Sequence, residues 1–239
     1  MAGPPSLLER FAAEPRRAAV LLDVDGVLAP IVDVAADARV PDEARAELRR
    51  LHGLYALVAC ITGRPAPEAE RIVGVPELEY VGEHGLELAP EAAEWRERVH
   101  AFAASLDWDD LELKPLSVTL HYRRAPDEAQ ALRRLEAVAV AATAEGLVPR
   151  FGRKVLELRP PVAAHKGTAV HALLERDGLR RALYAGDDTT DLDAFGVLDG
   201  LELAVRIAVA SAEGPVELRR AVDHHVGGPA AMLELLRSL

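Results

Sequence analysis

The stretch Ala18-Ala19-Val20-Leu21-Leu22-Asp23-Val24-Asp25-Gly26-Val27-Leu28 decides the fold. Its apolar run has no polar alternation, which suits a strand buried on both faces of a parallel sheet. The run ends abruptly on two carboxylates spaced two residues apart. On a continuing strand they would share a face and repel each other. Such a pair calls for a cation or a shared proton.

The same grammar recurs along the chain. A helical pattern over Pro41 to His52 precedes a second buried strand, Tyr55 to Ile61, which stops at Thr62-Gly63-Arg64-Pro65. A helix over 66–73 leads to a short strand, Glu79 to Val81, and then to Gly82-Glu83-His84-Gly85. After residue 165 the alternation resumes: a helix over 165–177, a strand from Arg181 to Ala185 ending at Gly186-Asp187-Asp188, a helix over 190–198, a strand from Leu203 to Ala208, and an amphipathic tail from Pro229. Strand–helix alternation of this kind predicts an α/β fold with a parallel sheet. Polar residues cluster just after the strands, where the crevice of an open α/β sheet lies.

Residues 91–163 read differently: a helix over 91–106, strands from Leu111 and Ser117, a long helix from Pro126 to Glu145, and strands from Val148 and Val155. This predicts a small α+β cap domain inserted into a core formed by 1–90 and 164–239. Pro160-Pro161 marks the return.

Composition narrows the classes. The chain has 239 residues, is 50% hydrophobic and 28% charged, and carries a formal net charge of -11. That balance argues against a nucleic-acid partner, which would demand a basic face. An acidic protein that handles phosphate needs a local cationic site or a metal. The single cysteine, Cys60, lies within an apolar run and is expected to be a buried structural thiol. No apolar run approaches the ~20 residues of a membrane span, and no leader pattern opens the sequence, so a cytoplasmic location is expected.

Asp23 and Asp25 suit a phosphoryl-transfer pair. Asp23 would be the nucleophile, and Asp25 would protonate the leaving oxygen and then activate water. Gly26 would allow a tight turn that brings backbone N–H groups to the phosphate. The acidic turn Gly186-Asp187-Asp188-Thr189-Thr190-Asp191 suits a hard cation bound by oxygen. Asp23, Asp187 and the backbone carbonyl of Asp25 would hold Mg2+, with Asp188 and Asp191 ordering its waters. Thr62 would donate to a phosphate oxygen. Lys166 sits at a helix start, where a cation opposes the macrodipole unless an anion is nearby. There it would offset the charge of Asp23 and of the transferring group.

These four ordered motifs resemble the haloacid dehalogenase superfamily, and the resemblance implies a Rossmann-like core, Mg2+ dependence and a cap. Further segments look like the trehalose-6-phosphate phosphatase branch: Asp23 to Ile31, Gly82 to Glu87, Glu112-Leu113-Lys114 with His121-Tyr122-Arg123, Val155 to Pro160 before Lys166-Gly167, and Gly186 to Phe195. The resemblance implies a phosphatase acting on a phosphorylated disaccharide, with Glu112, Lys114, Arg123 and Glu157 contacting sugar and phosphate. It leaves open whether His84 orients substrate, whether His121 is structural, and whether Arg64 touches phosphate or caps the strand end. The family pattern has Glu at Leu192 and Thr at Val27, which puts the surroundings of the metal loop in question. Three alternatives stay open: phosphatases of sucrose or mannosylglycerate phosphate, a phosphomutase, and a non-catalytic binding module. A trehalose-phosphate synthase would be a separate chain, and a monomer is the expected state.

Overall fold

The computed structural model describes residues 6–32, 34–152, 154–210, 218 and 220–239. The chain divides into two compact units, Met1–Gly85 with Ala164–Leu239, and Leu86–Ala163.

The first unit is built on a six-stranded sheet. Its strands are β1 (Ala19–Leu22), β2 (Leu57–Ile61), β3 (Glu79–Val81), β8 (Arg181–Gly186), β9 (Leu203–Val209) and β10 (His224–Val226). They run in the order β10-β9-β8-β1-β2-β3, and every pairing is parallel. The α/β reading of the sequence therefore holds. β10, whose polar His224-His225 gave no strand signal, extends the edge.

Alternation in β1 shows why an unbroken apolar run was needed. Val20 and Leu22 pack with Phe11, Leu48, Ile72, Met232 and Leu236 on one face. Ala19 and Leu21 pack with Val170, Leu173, Ala194 and Phe195 on the other. Helices cover both faces: α1 (Leu7–Ala12), α2 (Asp42–Leu54), α3 (Ala66–Val73) and α8 (Pro229–Arg237) on the first, and α6 (Lys166–Arg176) and α7 (Asp191–Val197) on the second. A strand between two layers of helix has no solvent face on which to place a polar side chain. Cys60 lies in this core, and burial raises its thiol well above the ordinary range.

The second unit is a four-stranded antiparallel sheet in the order β4-β5-β7-β6, formed by β4 (Leu111–Leu113), β5 (Val118–His121), β6 (Val148–Gly152) and β7 (Val155–Arg159). Helices α4 (Arg96–Ala104) and α5 (Glu128–Ala144) bury Val99, Leu135 and Ala142 against Val118, Leu120, Leu156 and Leu158. The sequence predicted one helix over 91–106. Instead, Pro90–Trp95 is a 3-10 segment, and the α-helix begins at Arg96.

Leu21 is fully buried on the central strand. Leu21→Ala should lower unfolding free energy by about 2–5 kcal/mol. Urea unfolding should show this as a shifted midpoint at unchanged slope.

Candidate active site

Three adjacent strands deliver their carboxyl ends to one place: Asp23 follows β1, Thr62 follows β2 and Asp187 follows β8. Backbone pairing continues one residue past the strands. Asp23 N–H donates to Ala185 O at 2.9 Å, and Thr62 N–H donates to Val81 O at 3.0 Å. Both side chains are thus fixed by sheet geometry.

After Asp23 the chain turns sharply. The N–H groups of Leu28 and Ala29 both donate to Val24 O, and Gly26 N–H donates to Ala29 O at 2.8 Å. The strand therefore ends before Asp25, so the two carboxylates do not share a face. Gly26 makes this tight turn with a positive φ of 78°, and its own N–H closes the loop. It also leaves space. A Cβ there would lie 2.4 Å from Asp187 Oδ2. The β1 and β8 loops interlock at this contact.

The centre of the site is a buried ammonium. Lys166, the first residue of α6, donates from Nζ to Asp23 Oδ2 at 2.6 Å and to Asp191 Oδ1 at 2.7 Å. It is only 2% exposed, so the cation at the helix start has carboxylate partners rather than solvent. Burial by itself would depress its pKa. Asp191 and Asp23 overcome that and hold it above the usual lysine range. Burial pushes the Asp23 carboxyl well above its ordinary value, and Lys166 only partly opposes this.

Asp191, expected from sequence to order metal-bound water, accepts hydrogen bonds from protein donors in this structure. A carboxylate has about four lone-pair sites. On Asp191 four protein donors use them: Lys166 Nζ and Tyr184 Oη on Oδ1, and the N–H groups of Asp187 and Asp188 on Oδ2. Asp191 therefore shapes the loop and anchors the lysine. Gly186 makes room for it, since a Cβ there would fall 2.2 Å from its Cγ. Asp188 accepts from Thr189 N–H at 2.7 Å. Leu192 is half-buried against the core on the α6/α7 side, and Val27 is fully buried.

Carboxylate oxygens of Asp23, Asp187 and Asp191 all lie within 4.8 Å of one another. Proximity groups all three, and Asp191 already accepts from four protein donors. Clustered, buried carboxylate oxygens are the donor set that suits a hard divalent cation.

Arg64 and Asp25 form a second pair, bidentate, with Nε to Oδ2 at 2.6 Å and Nη2 to Oδ1 at 2.8 Å. Arg64 also bonds Glu68 and Ala35 O. It thus does more than cap a strand end. Thr62 is 1% exposed, and its Oγ1 accepts from Arg64 N–H at 3.3 Å. Glu83 and His84 adopt φ of 46° and 54°, a conformation that non-glycine residues rarely adopt. His84 packs over Gly63, where a Cβ would sit 2.5 Å from Nε2.

Tyr184 was missed by sequence reasoning. The only signal was a phenol inside an otherwise apolar strand, and such a buried hydroxyl needs a partner.

The residues expected to contact sugar lie in the second unit. On β4 and its exit, Glu112 and Lys114 share a sheet face with Glu157 of β7. Lys114 Nζ stands 3.8 Å from Glu157 and 4.0 Å from Glu112. His121 shares a 2.9 Å hydrogen bond with Glu112 Oε2, so its ring belongs to this polar face rather than beneath the sheet. Arg123 lies beyond β5 and is exposed. A groove of about 430 Å3 in this unit, lined by Trp108, Asp110, Arg124 and Arg134 among others, includes none of Glu112, Lys114, Arg123 and Glu157. Among the described residues, no helix is long and apolar enough to cross a membrane.

The family model described as trehalose-phosphatase matches residues 21–110 and 102–220. The chain is 36% identical over 221 residues to the trehalose-phosphate phosphatase of Mycobacterium avium, covering 80% of this chain and 55% of that one. It is 29% identical over 274 residues to trehalose 6-phosphate phosphatase RA3 of Zea mays, covering 98% and 74%. The chain thus spans about half the length of its mycobacterial relative. The solved C-terminal domain of the Candida albicans trehalose-6-phosphate phosphatase superposes with a TM-score of 0.76 at 25% identity, covering 96% of this chain and 94% of that one.

Lys166→Met should destabilise the protein by about 3–5 kcal/mol, because it leaves Asp23 and Asp191 buried without their counter-charge. Urea unfolding in the absence of divalent cations measures this. A loss under ~1 kcal/mol would mean the triad is not the electrostatic keystone of the site.

Proposed function

Since the chain belongs to the trehalose-phosphatase family of hydrolases, we propose that it hydrolyses trehalose 6-phosphate to trehalose and phosphate. The observation that carries the reading is Asp23, buried at the end of the central strand, bonded to Lys166 and within ligand distance of Asp187.

In this reading Asp23 attacks phosphorus. The new Asp23–P bond forms as the bond from phosphorus to the sugar oxygen breaks, giving an aspartyl phosphate. Asp25 delivers a proton to the departing sugar oxygen, then takes one from the water that cleaves the aspartyl phosphate and restores Asp23. The Arg64–Asp25 pair must open for that carboxyl to reach the leaving oxygen. Lys166 offsets negative charge on Asp23 and on the phosphoryl oxygens, and Thr62 donates to one of those oxygens. Mg2+ held by Asp23, Asp187 and the carbonyl of Asp25 would neutralise phosphoryl charge and fix its orientation. Asp191 keeps Lys166 and the Asp187 loop in place.

Glu112, Lys114 and Glu157, with Arg123, carry recognition of the sugar ester. Carboxylates accept from sugar hydroxyls, and the cations suit the phosphate. The Glu112–Lys114–Glu157 cluster favours a polyhydroxylated substrate over an apolar one.

Phosphate release should be compared on trehalose 6-phosphate, sucrose 6-phosphate and glucose 6-phosphate, with Mg2+ and with EDTA. Release confined to the trehalose ester and abolished by EDTA is expected. Faster release from another ester would remove the substrate assignment, and no release from any of them would remove the phosphatase reading. Asp23→Asn should lower turnover by at least about 10^3-fold. Mg2+ at about 100 times its Kd should add about 2.7 kcal/mol to stability. An unchanged melting temperature across a Mg2+ titration would argue against the ligand pair.

A further inference from the structure

We propose that Thr119 is a further sugar-specificity residue, whose hydroxyl hydrogen-bonds a substrate hydroxyl between Glu112 and Glu157. This rests on the function proposed above and adds a residue that the motifs did not single out.

Three observations lead there. The first is register. Thr119 on β5 pairs with Glu112 on one side and Glu157 on the other, so the three side chains form one row across the sheet. The opposite face of these strands is apolar and packs on α4 and α5. The second is burial without satisfaction. Thr119 is 4% exposed, yet its Oγ1 has no hydrogen-bond partner among the described residues. A buried hydroxyl left unpaired costs on the order of 1–3 kcal/mol. Valine has the same shape and at least equal strand propensity, so packing alone gives no reason for a hydroxyl here.

The third observation is that the neighbours are held. His121 fixes Glu112 at 2.9 Å. Glu157 lies 3.8 Å from Lys114, 4.0 Å from Arg159 and 3.5 Å from Ser117 Oγ. The row thus presents two anchored carboxylates flanking one hydroxyl. Carboxylates only accept hydrogen bonds, whereas a hydroxyl both donates and accepts. Adjacent hydroxyls on a sugar ring also do both. Thr119 supplies the donor to a sugar oxygen that Glu112 and Glu157 cannot, and in turn gains the partner it lacks.

The test uses Thr119→Val and Thr119→Ser in the full chain, read by kinetics and by thermal shift with free trehalose. Thr119→Val should raise the melting temperature without sugar, since it removes an unpaired hydroxyl. It should also raise KM for trehalose 6-phosphate about 5- to 20-fold, with the change in KM rather than kcat. The trehalose-induced thermal shift should shrink in parallel, and Thr119→Ser should restore KM. Unchanged KM and unchanged trehalose shift in Thr119→Val would overturn the proposal, whatever the melting temperature does. So would a loss confined to kcat, or failure of Thr119→Ser to rescue. If the wild-type chain hydrolyses no ester but trehalose still raises its melting temperature, and Thr119→Val removes that rise, the proposed function falls while the role of Thr119 stands.

Discussion

The ammonium of Lys166 lies between Asp23 and Asp191, and the geometry of the site follows from that contact. Lys166 ties the first turn of α6 to the end of β1 and to the first residue of α7. Removing a charge from water is costly unless its partners are close and well aligned. The two short bonds supply that alignment. Asp191 in turn receives Tyr184 and two backbone N–H groups, so the acidic loop cannot relax away from the lysine. A network satisfied at every atom of its central carboxylate is rigid.

Glycines make this arrangement sterically feasible. Gly26 and Gly186 are the places where a carboxylate presses on backbone, and at both a Cβ would collide with an aspartate. The acidic residues can therefore converge only because the chain is bare where they meet. Arg64 performs the parallel task on the β2 side. It reaches from the Thr62 loop to bind Asp25 with two hydrogen bonds. Strands, glycines and paired charges thus place each carboxylate separately: Asp23 by the sheet, Asp187 by Gly26, and Asp25 by Arg64.

The antiparallel sheet of the second unit follows the same division of labour on its two faces. Leucine and valine pack on helices, while the other face carries Glu112, Lys114, Thr119, His121, Glu157 and Arg159. A period of two residues places all of these charges on one side without any disturbance of the core. Lys114 and Arg159 are buried charges on that face, with carboxylate oxygens of Glu112 and Glu157 at 3.8–4.0 Å.

Much of this was legible in the residues in order. Unbroken apolar runs ending on Asp23, Thr62 and Asp187 determined a parallel α/β sheet and put chemistry at the strand ends, because a strand covered on both faces leaves polar groups nowhere else to go. Two-residue alternation likewise announced the second sheet. The sequence could not say which donors saturate Asp191, that Tyr184 is among them, or that Gly26 closes its own loop and spares space for Asp187. Nor could it reveal the unpaired hydroxyl of Thr119. Each of these depends on distances between residues far apart in the chain, which local pattern does not encode. Only the tertiary structure, by bringing β1, β8 and α6 to one point and by setting the register of β4, β5 and β7, decided which charges met and left the buried Thr119 hydroxyl without a hydrogen bond among the described residues.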